Sequence, residues 1–436
     1  MGSSIFSSVY SISVSVSSGK VSLSSLIDPV LPLVPPTLRS MECSSSVSGD
    51  IGPGALADAF VRMRTRAPNL ENFSIPRQVR ILDAPDTAKA ISGFRQIKNL
   101  SLPTILSYQA LRVLLAIPTL TTFCISHIYR SGAMNDWGDL PSRIHSASLR
   151  ELTLTYPIDT MTKILEHLHA PSLTAVGLTL LIVAHGGTHI NRTHQMTPPL
   201  LALVTHTNTT HTLSWVQLKV AVEGPSFYNI HALLLPLIQP LLVLREMRYF
   251  YLNSGSRVSF VGRDTDFATI SQAWPQLAVL HMDTSAITTP SLMSSSDYSS
   301  DSISQPSEDR NRPVSQDLPY PTASSLHSFH KNCPRLRLLS FPFSIIPSRL
   351  QDYSVPSENV SSHPLEELRS DISWFYPSRD GHSNPMTDEL VGQWATHLLT
   401  LFPKLNAGRG SSLASVKDWQ SVCEAMQQIR ESRSGS

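Results

Sequence analysis

Five histidines stand close together in one stretch of the chain, and imidazole is the side chain that most often binds metal ions in proteins. They are His185, His189, His194, His206 and His211. The first two are four residues apart and would share one face of a helix. However, no glutamate lies between them, no cysteine is near, and the segment has the composition of a polar loop. A metal-dependent enzyme that uses the His185–His211 loop is therefore kept only as an alternative.

Other signatures of catalysis are absent from the sequence. It contains no G-x-x-x-x-G-K-[ST] phosphate loop, no G-x-G-x-x-G turn, no G-x-S-x-G elbow and no H-E-x-x-H helix. The four cysteines, Cys43, Cys124, Cys333 and Cys423, form no C-x-x-C pair and predict neither a zinc site nor a disulfide framework. We therefore expect a protein that is not an enzyme and that binds no cofactor and no metal.

A short leucine pattern recurs along most of the chain and must position whatever site the protein has. In Leu149-x-x-Leu152-x-Leu154 the last two leucines lie on one side of a short strand, because side chains alternate along a strand. Successive copies start about 23 to 40 residues apart, which brackets the leucine-rich-repeat period. The other copies start at Leu38, Leu70, Ile97, Leu120, Leu173, Leu213, Leu244, Leu277 and Leu336, with weaker ones at Leu365 and Leu405.

Proline stands two residues before many of these copies, as at Pro68, Pro118 and Pro275. Proline ends a helix and turns the chain into an extended segment. Helix, proline and strand in repetition predict an α/β fold: a right-handed leucine-rich-repeat solenoid (horseshoe) with a parallel concave sheet and outer helices. The predicted helices are Leu56–Arg66, Tyr108–Ala116, Thr160–His169, Phe267–Trp274, Ser324–Asn332, Thr387–Leu401 and Val416–Ile429.

Composition divides the chain into five segments. Residues 1–32 are rich in Ser and Val and are expected to be disordered, with a stray strand as the alternative. The solenoid is expected over residues 33–283 and its C-terminal repeats over 323–410. Residues 284–322 are rich in Ser, Asp and Pro and predict a disordered insert. Residues 411–436 are expected to form a capping helix and a tail, because a solenoid must cover its last apolar face.

The residues that flank the middle leucine of each repeat, and the one after the last leucine, are expected to point to the concave face. They are small or neutral in the early repeats, as at Asn72, Ser74 and Thr122, and become larger from Leu213 onward. Aromatic and arginine side chains dominate the energetics of protein interfaces. The alternative is an ordinary solvated sheet surface. The predicted partner-binding residues are Trp215, Gln217, Lys219, Glu246, Arg248, Phe250, His281 and Asp283.

The overall charge gives no reason to expect nucleic acid or membrane as a partner. There are 34 Lys and Arg residues against 33 Asp and Glu residues, for a net charge of +1. No basic residue precedes Lys20, so no signal peptide is predicted, and the apolar stretches Leu173–Ala184 and Ala232–Leu244 are too short to span a membrane. We expect a monomer in the cytoplasm or the nucleus.

The repeats resemble the leucine-rich-repeat regions of fungal F-box proteins. The resemblance rests on Pro-x-Leu starts such as Pro68-Asn69-Leu70, Pro171-Ser172-Leu173 and Pro334-Arg335-Leu336, and covers about residues 33–410. It implies a protein–protein interaction module that serves as substrate receptor of a ubiquitin ligase, with a Skp1-type adaptor as second partner if an F-box exists. No Leu-Pro-x-Glu-type F-box helix is visible before Leu33. A stand-alone scaffolding repeat protein is the alternative.

Overall fold

A computed structural model describes most of the repeat region, and the described residues fall in two compact units. Unit 1 comprises Met1–Val183 and Gln195–Glu223, and unit 2 comprises Ala184–His194 and Gly224–Ser436. The described residues are 10–16, 31–45, 50–51, 53–75, 80–81, 85–103, 107–125, 143–183, 193–207, 209–223, 230–255, 258–282, 321–341, 363–369, 387–406 and 417–434.

Unit 1 is built on a parallel sheet, in which β1, β2, β4, β6, β7, β9, β11 and β12 are neighbours in that order. The short strands β3 and β5 form one separate parallel pair, and β8 and β10 form another. The strands are β1 (Ser11–Val16), β2 (Ser40–Ser45), β3 (Asp50–Ile51), β4 (Asn72–Ser74), β5 (Arg80–Ile81), β6 (Asn99–Leu102), β7 (Thr122–Ile125), β8 (Ile144–His145), β9 (Glu151–Pro157), β10 (Leu168–His169), β11 (Ala175–Val183) and β12 (Trp215–Glu223).

Unit 2 repeats the same plan, with β14, β16, β17 and β18 as parallel neighbours in that order and β13 and β15 as a separate parallel pair. Its strands are β13 (Ile230–Leu233), β14 (Tyr249–Ser254), β15 (Val258–Val261), β16 (Val279–Met282), β17 (Leu338–Ser340) and β18 (Glu367–Arg369).

Helices connect the strands, and the predicted ones are found within a few residues of their expected bounds. Helices α2, α5 and α6 were not predicted. The helices are α1 (Pro53–Arg66), α2 (Pro85–Ser92), α3 (Tyr108–Leu115), α4 (Ile158–His167), α5 (Thr193–His206), α6 (Leu234–Ile238), α7 (Asp264–Ala273), α8 (Ala323–Asn332), α9 (Asp388–Leu401) and α10 (Lys417–Ser434), with 3-10 turns at Leu31–Leu33 and Gln239–Val243.

A hydrogen-bonded turn carries the chain from each helix into the next strand. The N–H of Leu120 donates to the carbonyl of Ile117 at 3.2 Å, and the N–H of Leu173 donates to Ala170 at 3.1 Å. We call the residue that closes this turn, such as Leu120 or Leu173, the turn leucine. Proline suits the first position inside the turn because it needs no donor there. The prolines before the strands therefore mark the turn, as the sequence indicates.

The predicted strand register is confirmed in the repeat that starts at Leu149. Leu149, Leu152 and Leu154 are buried, whereas Thr153 between the last two is half-exposed. Leu152 is in register with Phe123 on one side and Val176 on the other, so that buried side chains line up across neighbouring strands. The fold is an α/β solenoid of the leucine-rich-repeat type.

Hydroxyl side chains tie neighbouring repeats of unit 1 together just before the turn leucine. Thr119 donates to the carbonyl of Ile97 at 2.7 Å, and Ser148 donates to Leu120 at 2.9 Å. These acceptors are carbonyls of turn leucines, or of the isoleucine in that place, one repeat earlier. Because a buried carbonyl without a donor is costly, the hydroxyls stabilise the stacking of the repeats.

Two segments differ from the sequence-based expectation. Ser11–Val16, in the segment expected to be disordered, pairs with Ser40–Ser45, because its alternating Ile and Val residues extend the parallel sheet. At the other boundary, Thr322 is not part of an insert: it is buried, and its hydroxyl caps α8 by accepting from Ser324 N at 3.2 Å. Most of the predicted 284–322 insert lies outside the described residues.

Asp264 anchors the start of α8 to α7. Its carboxylate accepts hydrogen bonds from Thr322 N at 2.7 Å, from Thr322 Oγ1 at 2.6 Å and from Ser325 Oγ at 2.6 Å. The N-terminus of a helix favours a negative charge, so the carboxylate is well placed there.

The predicted C-terminal helix forms and packs against α9. Val422 and Met426 on α10 are buried, and Arg430 donates to the carbonyls of Pro403, at 3.1 Å, and Leu405. The carbonyls of this turn thus receive donors from α10, and the role of α10 as a cap of the solenoid stays a prediction.

Candidate functional site

The side of the sheet that faces away from the core is the candidate site. On β9 the two residues that flank the buried Leu152, Glu151 and Thr153, face outward. We call these the outer positions. Strand register aligns them across neighbouring repeats, as Thr122 aligns with Glu151 and Cys124 with Thr153.

The outer positions of unit 1 carry small or polar side chains that bond to each other. The amide of Asn99 donates to the amide oxygen of Asn72 on the neighbouring strand. Thr122 Oγ1 donates to a carboxylate oxygen of Glu151 at 3.4 Å. At Gly177, an added Cβ would lie 3.1 Å from Thr153 Oγ1, which leaves little room for a larger side chain. This part of the face is therefore low in relief.

Charged residues just before the strands of unit 1 also pair with each other. Lys98 Nζ lies 2.9 Å from Glu71 Oε2, and Arg39 lies 3.5 Å from Glu71 Oε1. The hydrogen bond from Lys98 holds the pKa of Glu71 below its ordinary value, against the opposing effect of burial. These charges are largely compensated within the protein.

On the last strand of unit 1 the residues of the outer face are larger, as predicted. Trp215 and Gln217 are half-buried and Lys219 is exposed, and all three alternate with the buried Val216, Leu218 and Val220. Their outward orientation agrees with the predicted register.

The predicted register of the next repeat is wrong by three residues. The prediction uses Leu244-x-x-Met247-x-Tyr249, but the N–H of Met247 donates to the carbonyl of Leu244 at 3.1 Å, so Leu244 opens the turn and Met247 is the turn residue. Phe250 is in register with the buried Leu280 and is itself fully buried. Both frames satisfy the apolar spacing, and the hydrogen-bonded turn decides between them.

This shift changes the place of three predicted site residues. Phe250 is a core residue whose ring lies 5.0 Å from that of Trp274. Glu246 and Arg248 are exposed but precede the strand, and the Arg248 carbonyl accepts from Ala278 N at 2.8 Å and Val279 N at 3.0 Å. His281 is at an outer position as predicted, and Asp283 lies outside the described residues.

The outer positions of β14 are Tyr249 and Tyr251. The predicted frame, which starts at Leu244, assigned neither residue to the site. Tyr249 is 39 % exposed, and the ring of Tyr251 lies 6.0 Å from that of His281 on the neighbouring strand. Burial, followed by the nearby Tyr249, raises the pKa of Tyr251, so its hydroxyl stays protonated at neutral pH. Tyr249 and Val279 are in register, and Val279 with Leu338, which makes this row apolar.

Further along unit 2 the outer positions become charged. Glu367 on β18 is in register with Leu338, and Arg369 with Ser340. Arg369 forms an ion pair with Glu367 at 2.5 Å on the same strand. The aromatic and apolar row therefore ends at a charged border.

The histidine loop takes a different form from the one expected. Thr193–His206 is a helix, because Met196, Leu200 and Leu203 are spaced to bury one face. His194, His206 and His211 are exposed, and His185 and His189 lie outside the described residues. Across the described residues, no group of three or more His, Cys, Asp or Glu side chains could hold a metal ion. None of the described helices is long and apolar enough to cross a membrane.

No protein-family model matches the sequence, and no curated protein matches it. Among solved structures, a Bacteroides fragilis protein matches with 11 % identity and a TM-score of 0.35, covering 72 % of this chain and 69 % of its own. The Rad7–Elc1 complex of yeast matches with 13 % identity and a TM-score of 0.24, covering 61 % and 76 %. The leucine-rich-repeat protein LIC12759 of Leptospira interrogans matches with 10 % identity and a TM-score of 0.20, covering 63 % and 84 %. The assignment of the fold rests on the strand register and the turns described above.

Proposed function

We propose that the protein is a non-enzymatic interaction module that binds a protein partner on the outward side of its sheet. The observation that carries the proposal is the row of Tyr249, Tyr251 and His281 in unit 2. Each of these side chains stands on a strand whose other face is buried, so a partner would meet aromatic groups that are already held in position. Aromatic side chains on a rigid surface lose little conformational entropy on binding.

The border of this row supports a protein partner with some negative charge. Arg248 and Arg337 are both exposed directly before β14 and β17, and neither forms an ion pair with a described residue. Their carbonyls accept hydrogen bonds from the next repeat, so the backbone that carries the two guanidinium groups is fixed. Arginine at the rim speeds association and selects partners of opposite charge.

In its finer form, the proposal is that the bound partner is the substrate of a ubiquitin ligase. This form is supported by the Pro-x-Leu repeat pattern that resembles the repeat regions of F-box proteins. Co-purification of the full chain with a Skp1-type adaptor is the expected result. A chain that captures its partner but never the adaptor would instead be a scaffolding repeat protein, and the finer form would be wrong.

The main test is the triple variant Tyr249→Ala, Tyr251→Ala and His281→Ala. We expect it to lose partner capture in a cross-linking pull-down at least tenfold, which corresponds to roughly 1.4 kcal/mol of binding free energy. Arg248→Ala with Arg337→Ala should mainly slow association and reduce its dependence on salt.

The matched control is Thr122→Ala with Cys124→Ala, which alters the same two outer positions on β7 of unit 1. It should leave partner capture unchanged, whereas Trp215→Ala, measured separately, reports whether β12 takes part. A folded triple variant that captures its partners as the natural chain does would contradict the proposed site. Thermal melts of all variants show whether they fold.

A further inference from the structure

Four histidines from three separate segments of the chain come together inside unit 2. The imidazole of His327 lies 5.0 Å from that of His397, and the imidazole of His330 stacks on that of His363 at 5.1 Å and 27°. His363 and His397 are only 5 % and 9 % exposed. We call His327, His330, His363 and His397 the histidine cluster.

The cluster joins three elements of the last repeats. His327 and His330 are on α8, His397 is on α9, and His363 stands two residues before the turn leucine Leu365, where several other repeats have proline. The ring of Phe402 lies 5.0 Å from that of His363 and 5.7 Å from that of His330. The imidazoles of His363 and His397 therefore pack as core side chains, and those of His327 and His330 are half-buried beside them.

The hydrogen bonds of His363 fit only one neutral form of its ring. Its Nδ1 accepts from the N–H of Leu365 at 3.2 Å, and its Nε2 lies 3.1 Å from the carbonyl of Cys333. A carbonyl can only accept, so Nε2 carries the proton and Nδ1 carries none. A second proton, on Nδ1, would face the N–H of Leu365 and break that bond.

The surroundings offer a positive imidazole no compensating charge among the described residues. No described carboxylate forms an ion pair with His330, His363 or His397, and the Nε2 atoms of His330 and His397 are buried without a described hydrogen-bond partner. The neighbouring thiol of Cys333 stays neutral, because burial raises its pKa to about 12. It points to the carbonyls of Ser271 and Trp274.

The charged side chains on the packed elements are turned to solvent or bonded elsewhere. Lys331 on α8, Asp388 and Glu389 on α9, and Arg335 and Lys404 in the turns are exposed.

The remaining charged groups have other partners or are exposed. Glu366 and Glu424 are exposed, and Glu367 pairs with Arg369. Asp264 on α7 is held by Thr322 and Ser325, and Arg430 on α10 donates to Pro403 and Leu405. Among the described residues, the titratable groups whose rings lie nearest His330, His363 and His397 are therefore other imidazoles, and two positive rings at about 5 Å repel each other strongly when water is excluded.

Burial is the first cause that lowers the pKa of each ring in the cluster. It lowers the pKa of His363 and of His397 to about 4, with further lowering by His330 and by His327 respectively. The hydrogen bond to the Cys333 carbonyl acts in the opposite direction on His363. The pKa values of His327 and His330 are lowered as well.

We propose that the histidine cluster is an acid-sensitive lock, which holds α8, α9 and the turn before β18 together while its imidazoles are neutral and releases them when the imidazoles are protonated. A histidine whose pKa is depressed on folding binds its proton more readily in the unfolded chain. The stability is therefore complete above the ordinary pKa of 6.5 and is lost as the pH falls from there toward about 4.

The test uses the full chain and has two readouts by mass spectrometry between about pH 7.5 and pH 3.5, a range that includes the lowered pKa values of about 4. Deuterium exchange at the imidazole C2 carbon reports the titration of single histidines, and we expect midpoints for His363 and His397 that lie below the ordinary histidine pKa of 6.5. Amide exchange in α8 and α9, corrected for its intrinsic pH dependence, should accelerate by up to roughly tenfold per pH unit for each proton taken up on opening. Amides in β9 and β11 should not accelerate.

The variant His363→Asn with His397→Gln removes two titrating groups and keeps polar atoms in their place. It should lose most of the acceleration, while the matched control His145→Gln on β8 should keep it. Equal acceleration in the double variant and the natural chain would overturn the proposal. If the double variant does not fold, titration of His363 and His397 at the ordinary histidine pKa of 6.5 in the natural chain would equally overturn it.

Discussion

The outward-facing residues of the strands in unit 1 and in unit 2 stand on one backbone plan but differ in their side chains. In unit 1, the outer positions from β4 to β11 hold small or polar residues such as Asn72, Asn99 and Gly177, and many of their groups bond across strands. In unit 2, Tyr249, Tyr251 and His281 stand at the equivalent positions. The strand register is the same in both, because the buried residues align in both.

The proposed function places the partner on the aromatic row of unit 2, and this difference supplies the physical reason for that proposal. A row of polar side chains that already form hydrogen bonds and ion pairs with each other gains little free energy from binding another protein, since each internal bond that is broken would have to be replaced. Binding a protein to an aromatic row is favourable because it removes apolar surface from water. Under the proposed function, recognition would therefore belong to the outer positions of β14 and β16 in unit 2 rather than to those of β4 to β11 in unit 1.

The largest expected effect tests whether β14 has the register on which this comparison depends. Phe250→Ala should destabilise the protein by about 3–5 kcal/mol, because it removes a fully buried ring that packs on Trp274. Tyr249→Ala, one residue earlier, should cost less than about 1 kcal/mol, because its side chain is exposed. Chemical denaturation of both variants gives the two free energies.

Phe123→Ala is the matched control in unit 1, since Phe123 occupies the same buried position on β7. It should cost about as much as Phe250→Ala. If Tyr249→Ala proved the more destabilising of the two β14 variants, the frame Leu244-x-x-Met247-x-Tyr249 would be right after all, and the aromatic row would not exist.

The sequence predicts the fold well because the repeat signal is local. Leu149, Leu152 and Leu154, and the prolines two residues before the turn leucines, are set by the alternation of a strand and by the end of a helix. The same locality explains the error at Leu244. Leu244, Met247, Phe250 and Leu252 are all apolar and fit two frames that differ by three residues. Arg245 stands at the position where other repeats have the proline of the turn, so the residue that would have distinguished the two frames is missing.

The histidines show why the site was harder to predict than the fold. The five that are close in sequence, from His185 to His211, include three that are exposed and do not form a described cluster. The four that meet in space come from three segments of the chain: His327 and His330 share α8, whereas their ring partners His397 and His363 are far along the sequence. Their proximity follows from the stacking of repeats, which local sequence patterns do not specify.

A second prediction, of intermediate size, concerns how α8 of unit 2 is fixed. Asp264→Ala should destabilise the protein by about 1–3 kcal/mol, because Thr322 N, Thr322 Oγ1 and Ser325 Oγ would lose their shared acceptor. Amide exchange in Ala323–Asn332 should rise more than exchange in the helices of unit 1. Denaturation together with hydrogen exchange measures both effects.

Asp266→Ala is the control for this prediction, since Asp266 accepts from Arg263 N of its own helix at 3.0 Å and holds no neighbouring element. It should cost less and leave exchange in α8 unchanged. Equal amide exchange in α8 for the two variants would mean that the carboxylate of Asp264 does not anchor that helix.

The smallest effect is expected at the charged residues of unit 1. It tests whether the ion pairs between them contribute to the stability of the fold. Glu71→Gln removes the acceptor that Lys98 and Arg39 share. Because exposed ion pairs contribute little and are screened by salt, the melting temperature should fall only slightly, and the difference should vanish in concentrated salt.

The pH dependence gives a second readout. Since the pKa of Glu71 is lowered on folding, the stability that its carboxylate contributes is present above its ordinary value of 4.5 and is lost as the pH falls through the lowered value. Glu71→Gln should therefore differ from the natural chain at pH 7 and match it in strong acid. A large, salt-independent loss of stability would show that Arg39, Glu71 and Lys98 hold the first repeats together. The charged residues of unit 1 would then contribute to its stability as core residues do, and the comparison of the two units would have to include them.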